Sequence, residues 1–188
     1  MSILKKLNVG CGRNPFDGPE WTNVDITPNS GVVADLEKPW PFPDDSFDEL
    51  YCSNVLEHIR DPLYFMQEAW RVARAGATMR VLVPYGTSDA AWEDPTHVRP
   101  YFVGSFYFFS QLAYNSADYG YRGDWDPEVI TLDLNDRLFK NKDPAEVEKI
   151  IRHQRNVVEE MIVDLRAIKP MREPNGSGKQ MRVEFNFI

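Results

Sequence analysis

Cysteine is scarce in this chain: Cys11 and Cys52 are the two thiols in 188 residues. Two cysteines cannot make a disulfide framework, and neither stands in a metal-ligand spacing, so a disulfide-stapled scaffold and a cysteine-held metal are both excluded. Each lies where an apolar strand ends and reads as a buried thiol of a reducing compartment. No stretch approaches the ~18 consecutive apolar residues of a membrane span. The first residues carry two lysines but no apolar run, so no secretory signal is expected. Together these absences predict a cytoplasmic protein with no membrane partner and no metal. Positive charge is short as well, with 21 Lys and Arg against 29 Asp and Glu, a net of −8. That balance repels phosphate backbones, and nucleic acid is not an expected partner.

What is present is an ordered alternation of apolar runs and breakers. The length suits one domain, residues 1–188, with a substantial core and no linker or repeat. "KLNVG" (6–10), "WTNVDI" (21–26), "VVADL" (32–36), "FDELYCSNVL" (47–56) and "ATMRVLVPY" (77–85) read as short buried strands. Between the last two, residues 61–76 predict a helix: Asp61 caps, Pro62 takes the first position and Gly76 ends it. Leu63, Met66, Ala69, Trp70 and Ala73 share its apolar face. This pattern predicts an α/β fold with a parallel sheet and a cleft at the strands' carboxyl ends. The second half is less regular. The aromatic stretch 101–115 predicts a helix over the cleft, 128–134 a strand and 143–154 a helix. Residues 157–168 and 181–188 flank "NGSG" and predict a closing antiparallel pair, with a helix as the alternative for the first of them.

The residues that carry chemistry sit at those carboxyl ends. Gly10-Cys11-Gly12 follows the first strand, where glycine lets a ligand approach the backbone and its amides. A dinucleotide fold would want a third glycine where this chain has Pro15, and the Gly-Lys-Ser/Thr of a phosphate loop is absent. Asp25 closes the second strand, where a carboxylate can accept from both hydroxyls of a ribose, and Asp35 closes the third, where it can accept from a base amino group. Further on, "DPTHVRPYF" (94–102) gathers Asp94, His97, Arg99 and Tyr101 in a loop on the cleft side. His97 is the candidate catalytic base there, against a purely structural role for the same side chains. Glu57-His58, by contrast, reads as a structural pair where the fourth strand hands over to a helix.

Taken together, "LNVGCG", "NVDI", "ADLEKPWPFPDDSFDELYCSNVLEHI" and "LVPY" resemble the class I S-adenosylmethionine-dependent methyltransferases, in the group that includes the type 11 methyltransferases. The resemblance covers residues 4–86 and implies a Rossmann-like sheet, mostly parallel with a C-terminal antiparallel strand. It divides the domain into a cofactor-binding half (1–86) and an acceptor-side half (87–188). The implied cofactor is S-adenosyl-L-methionine. Gly10, Cys11 and Gly12 would line its methionine and ribose part, Asp25 would hold the ribose diol, Ile26 would pack on the adenine, and Asp35 with Leu36 would bind the adenine edge. Cys52, Ser53 and Asn54 would lie beside the sulfonium. The implied activity is methyl transfer to an oxygen or nitrogen of a small-molecule acceptor, the alternative being a non-catalytic S-adenosylmethionine-binding or scaffold protein of the same fold. Two departures from the pattern stand out. Asn8 occupies a position where many relatives carry an acid, and residues 13–20 are too few for a full crossover helix. The first helix is therefore expected to be shortened or replaced by a loop, with Arg13 as a substitute donor.

Overall fold

A computed structural model describes residues 4–28, 31–134, 136–139, 142–176 and 181–188. Strands β1 (Lys6–Val9), β2 (Trp21–Asp25), β3 (Val32–Val33), β4 (Phe47–Ser53), β5 (Ala73–Pro84), β6 (Trp125–Leu134), β7 (Val158–Ala167) and β8 (Arg182–Phe187) form one sheet. Their spatial order is β3-β2-β1-β4-β5-β7-β6-β8. The first five are parallel, β7 runs antiparallel to both β5 and β6, and β8 is parallel to β6. The helices are α1 (Pro62–Val72), α2 (Ala90–Glu93), α3 (Asp136–Phe139) and α4 (Pro144–His153).

The alternation of side chains puts the core on one face of the sheet. Leu7, Val9, Leu50, Cys52, Met79, Val81, Val163 and Leu165 are fully or almost fully buried, and Phe65, Met66 and Ala69 of α1 join the same core. The intervening positions are polar and paired across strands: Lys6 with Glu49 (2.8 Å), Arg80 with Asp164 (2.7 Å) and Arg166 with Glu128 (2.6 Å). Alternating strands of this kind keep their register because a one-residue slip would bury these charges.

Helix α1 begins as its sequence dictates, with the Asp61 carboxylate accepting from the Tyr64 N–H at 3.0 Å and Pro62 at the first position. It ends at Val72, before Gly76. Asp45 and Ser46 donate to the carbonyls of Arg71 and Val72, and Ala73 pairs with Phe47, so strand pairing takes over four residues early. The buried face is correspondingly rotated toward Phe65 and Val72, with Leu63 and Trp70 only half-buried. The predicted helix over 101–115 is instead two short 3-10 segments, Val103–Phe109 and Gln111–Ala113. Aromatic side chains with a glycine among them have modest helix propensity, and this segment follows tertiary packing instead. The helix over 143–154 forms as α4, capped by Asp143.

The predicted antiparallel pair of residues 157–168 and 181–188 does not form. Both edges of β7 are already occupied, by β5 on one side and β6 on the other. The returning chain is therefore displaced one strand outward, where β8 adds to the free edge of β6. The connection between them is anchored by Arg172, which donates to the buried carboxylate of Asp124 at 2.8–2.9 Å. The "NGSG" segment falls partly outside the described residues.

Between β1 and β2 no helix forms, as the short spacing requires. Asn8 donates to the Asn23 side chain (2.9 Å) and the Asn14 carbonyl (3.3 Å), while Asn23 brackets Phe16 by accepting from its N–H and donating to its carbonyl. Phe16 packs on Trp21 and Tyr51, its ring centroid 4.6 and 5.0 Å from theirs. Asn8 therefore fastens the loop that replaces the helix.

Candidate active site

The carboxyl ends of β1, β2 and β4 converge on a glycine turn. Gly10 (φ 69°) and Gly12 (φ 51°) both lie in the left-handed region. A Cβ at Gly10 would collide with the Val55 side chain, whereas a Cβ at Gly12 would enter open space. The turn's amides are occupied from within. Gly10 and Cys11 N–H donate to the Val24 carbonyl (2.8 and 3.1 Å), and Gly12 N–H donates to Asp25 Oδ2 (2.9 Å). The expectation that these amides point at a ligand is thus corrected: the turn offers a ligand room, and its donors hold β2 and Asp25 in place.

Two cavities, each about 360 Å³, flank this turn. The first is lined by Gly10, Gly12, Asp25, Ile26, Asp35, Leu36 and Asn54, together with Val55, His58 and Ile59. The second is lined by Gly10, Cys11, Gly12, Ser53 and Asn54, with Asn8, Arg13, Phe16 and Tyr51. The residues singled out along the sequence at four strand ends thus surround one glycine turn, and Gly10, Gly12 and Asn54 border both cavities. Cys52, between them in sequence, points into the core, where burial pushes its thiol far up and leaves it inert.

Asp25 is positioned in part by two amides, Gly12 N–H on Oδ2 and Thr27 N–H on Oδ1 (2.8 Å). Asp35 accepts from the Glu37 N–H (3.0 Å) and pairs with Lys38 (3.1 Å), and these hold its carboxyl below the usual range. Ile26 stands 67 % exposed at the rim, an apolar surface with nothing of the chain upon it. Asn54 adopts φ 52°, a conformation asparagine tolerates, with its N–H donated to the Leu82 carbonyl (3.0 Å). That left-handed residue turns the chain away from β4 along the cavity wall.

On the other wall, loop 94–102 is bound down on the turn after β4. Val98 N–H donates to the Glu57 carbonyl (2.8 Å), and the Tyr101 hydroxyl donates to the Leu56 carbonyl (3.3 Å). His97 lines neither of the two cavities; its ring lies edge-on against His58, centroids 4.7 Å apart, and His58 forms the wall. His97, expected as the base of an acceptor loop with Asp94, Arg99 and Tyr101, therefore stands behind His58 and not on the wall of these cavities. Sequence reading passed over His58 because a helix-edge histidine next to a glutamate is usually satisfied locally. Glu57 beside it is 2 % exposed, and neither carboxylate oxygen has a partner in hydrogen-bond geometry. Burial pushes its carboxyl up to about 7, with its own backbone amide and His97 pulling back only in part. Beyond α1, a third cavity of about 610 Å³ is walled by Leu63, Arg99, Tyr101, Phe102, Phe108 and Tyr119, among others.

Comparison with known proteins agrees with this geometry. Residues 7–81, the segment from β1 into β5, match the model of a methyltransferase domain family. No curated protein matches the sequence. Among solved structures, a SAM dependent methyltransferase from Archaeoglobus fulgidus is similar with a TM-score of 0.61 at 20 % identity, over 87 % of this chain and 86 % of that one. An S-adenosylmethionine dependent methyltransferase from Mesorhizobium loti gives 0.56 at 16 %, over 87 % and 91 %. The [4+2]-cyclase SpnF gives 0.52 at 14 %, over 88 % and 74 %.

Proposed function

We propose that the chain transfers a methyl group from S-adenosylmethionine to an oxygen or nitrogen of a small-molecule acceptor, a reading supported by the match of residues 7–81 to a methyltransferase domain family and by a fold similar to that of SAM dependent methyltransferases. The observation that carries this reading is the ordering of Gly12, Asp25, Asp35 and Asn54, each at a strand end, around one pair of cavities. The donor set fits the cofactor. Open space where a Cβ of Gly12 would project is the cradle for the adenosyl group. Asp25 would accept from the ribose diol, exposed Ile26 would pack under the adenine with Leu36 on its edge, and Asp35 would accept from its amino group. Ser53, Asn54 and Arg13 face the cavity that suits the amino acid part.

When bound, the cofactor supplies an electrophilic methyl on a sulfonium. The chain's own work is alignment, since an in-line displacement needs the nucleophile held close behind the methyl carbon. The aromatic cavity beside loop 94–102 suits an apolar or sugar-like acceptor, with Arg99 at its edge for an anionic or hydroxylated one. The proton of an acceptor hydroxyl goes to the imidazole pair: His58 at the wall, His97 behind it. Replacing His97 with alanine is expected to slow transfer to a hydroxyl acceptor by about 10²–10⁴-fold. Labelled-methyl transfer over a panel of hydroxylated and amine acceptors checks this, with S-adenosylhomocysteine affinity and thermal midpoint near the parent's. A variant that turns over at the parent rate, or that melts far lower, removes His97 from the reaction. The second reading, a non-catalytic binder of the same cofactor, is favoured by the missing first helix and the internally occupied turn amides. It predicts S-adenosylhomocysteine binding with no labelled product from any acceptor.

A further inference from the structure

Three side chains outside the cofactor cradle converge at the wall between the cleft and loop 94–102. Donor atoms of Glu57, His58 and His97 lie within 4.8 Å of one another. Their hydrogen bonds fix what each presents. Thr96 gives its hydroxyl proton to Asp94 Oδ1 (2.7 Å), so toward His58 it accepts, and His58 Nδ1–H donates to it (2.9 Å). His97 Nδ1 faces the Ala91 carbonyl (3.2 Å), which only accepts, so His97 Nδ1–H donates as well. In a neutral ring Nε2 is then the lone-pair nitrogen, and that of His97 stands 3.9 Å from Asp94 Oδ2. Imidazoles that ligate metals are oriented in this way, with the second nitrogen tied to a carbonyl or a polar oxygen.

Glu57 supplies the independent observation. A carboxylate that is 98 % buried with both oxygens unpartnered is rare in a folded protein and calls for an explanation such as an ion. The neighbouring ionisable groups that act on it, besides His97, are the carboxylates of Glu160 and Asp94. Both are negative, while Arg99 of the same loop as Asp94 acts on the adjoining Tyr101. The Val98 N–H bond to the Glu57 carbonyl and the Tyr101 hydroxyl bond to the Leu56 carbonyl hold the two contributing segments in register.

We propose that Glu57, His58 and His97 bind a divalent transition-metal ion of the zinc class behind the cavity wall that His58 forms. Two imidazole nitrogens and one carboxylate suit zinc or a similar first-row ion better than magnesium or calcium. Around such an ion, at about 2.0–2.2 Å from each ligand, the donors stand roughly 3–3.5 Å apart, so side-chain rotation closes the present spread. With the ion bound, the imidazole lone pairs are committed to it, so the pair takes an acceptor proton only in the metal-free chain. Ion binding stands apart from the methyl-transfer reading.

The test titrates purified full chain with Co²⁺, read by visible absorption, and with Zn²⁺, read by calorimetry. One ion per chain is expected, with the intense visible bands of a low-coordinate cobalt site. Glu57→Gln, His58→Ala and His97→Ala should each weaken binding at least tenfold, and His97→Asn repeats the measurement should the alanine variant not fold. His153, an exposed histidine on α4, provides the control: His153→Ala should bind as the parent does. A parent chain that binds neither ion overturns the proposal, as does binding lost in His153→Ala and retained in His97→Ala. S-adenosylhomocysteine is titrated separately. Its binding without metal binding defeats this inference alone, and metal binding without it defeats the cofactor reading alone.

Discussion

Gly10 and Gly12 share a backbone conformation and differ in what surrounds them. Both would strain a side chain, yet only Gly10 has a neighbour, Val55, in the path of a Cβ. Gly10→Ala is therefore expected to fail as a fold, seen as a collapsed thermal midpoint. Gly12→Ala should cost about 1–2 kcal/mol of stability from the left-handed backbone alone. It should nevertheless lose S-adenosylhomocysteine affinity tenfold or more, because its methyl fills the cradle; parent-like affinity would show that the cofactor does not use that space. Asp35 is tied to Glu37 and Lys38 before any ligand arrives, so Asp35→Ala should weaken cofactor binding by about 0.5–1.5 kcal/mol, less than Asp25→Ala does. Calorimetry on both variants tests the order, and a reversed order exchanges the two roles. At this scale glycine and aspartate stand out in the sequence because they follow successive apolar runs in order, though each alone is an ordinary turn residue. The structure brings them around one turn. His58 and Glu57 were not legible, since their partner His97 is remote in sequence and joins them through hydrogen bonds that no spacing encodes.

Elements were legible where local chemistry decides them, as at Asp61-Pro62 and Asp143-Pro144, each of which starts a helix. They were not where pairing decides, as at the end of α1, taken over by β5, and at β8, displaced by the full edges of β7. Helix α1 carries its own testable device. Glu68 accepts from the Trp40 N–H (2.8 Å) and from Arg71 (2.7 and 2.8 Å), fastening the helix to the segment before β4. Burial pushes the Glu68 carboxyl up, but the bonds from Arg71 and Trp40 outweigh it and hold it below its usual range. Because the folded value is the lower one, the stabilisation is complete above the unfolded value of about 4.3 and is lost as pH falls through the folded one. Glu68→Gln should destabilise by about 1.5–3 kcal/mol at neutral pH. In thermal melts its gap to the parent should narrow below about pH 4; a gap independent of pH would place the stabilisation elsewhere.

At the scale of the molecule, eight strands in one sheet bring residues from four strand ends to a single turn, and that convergence is what the account of function rests on. The parallel half was legible because each strand is a short apolar run with a marked end. The order of the far half was not, because antiparallel insertion of β7 depends on which edges are free. With the first helix replaced, the cofactor of the proposed reading is held by cavity shape, Asp25 and apolar contacts more than by loop amides, which makes Asp25 that reading's most exposed point. The decisive measurement is calorimetric titration of S-adenosylhomocysteine into the parent chain and into Asp25→Ala. The account predicts one site per chain in the parent and an affinity lower by about 1.5–3 kcal/mol in the variant, with both proteins folded. No binding to the parent, or equal affinity in a folded Asp25→Ala chain, would contradict it.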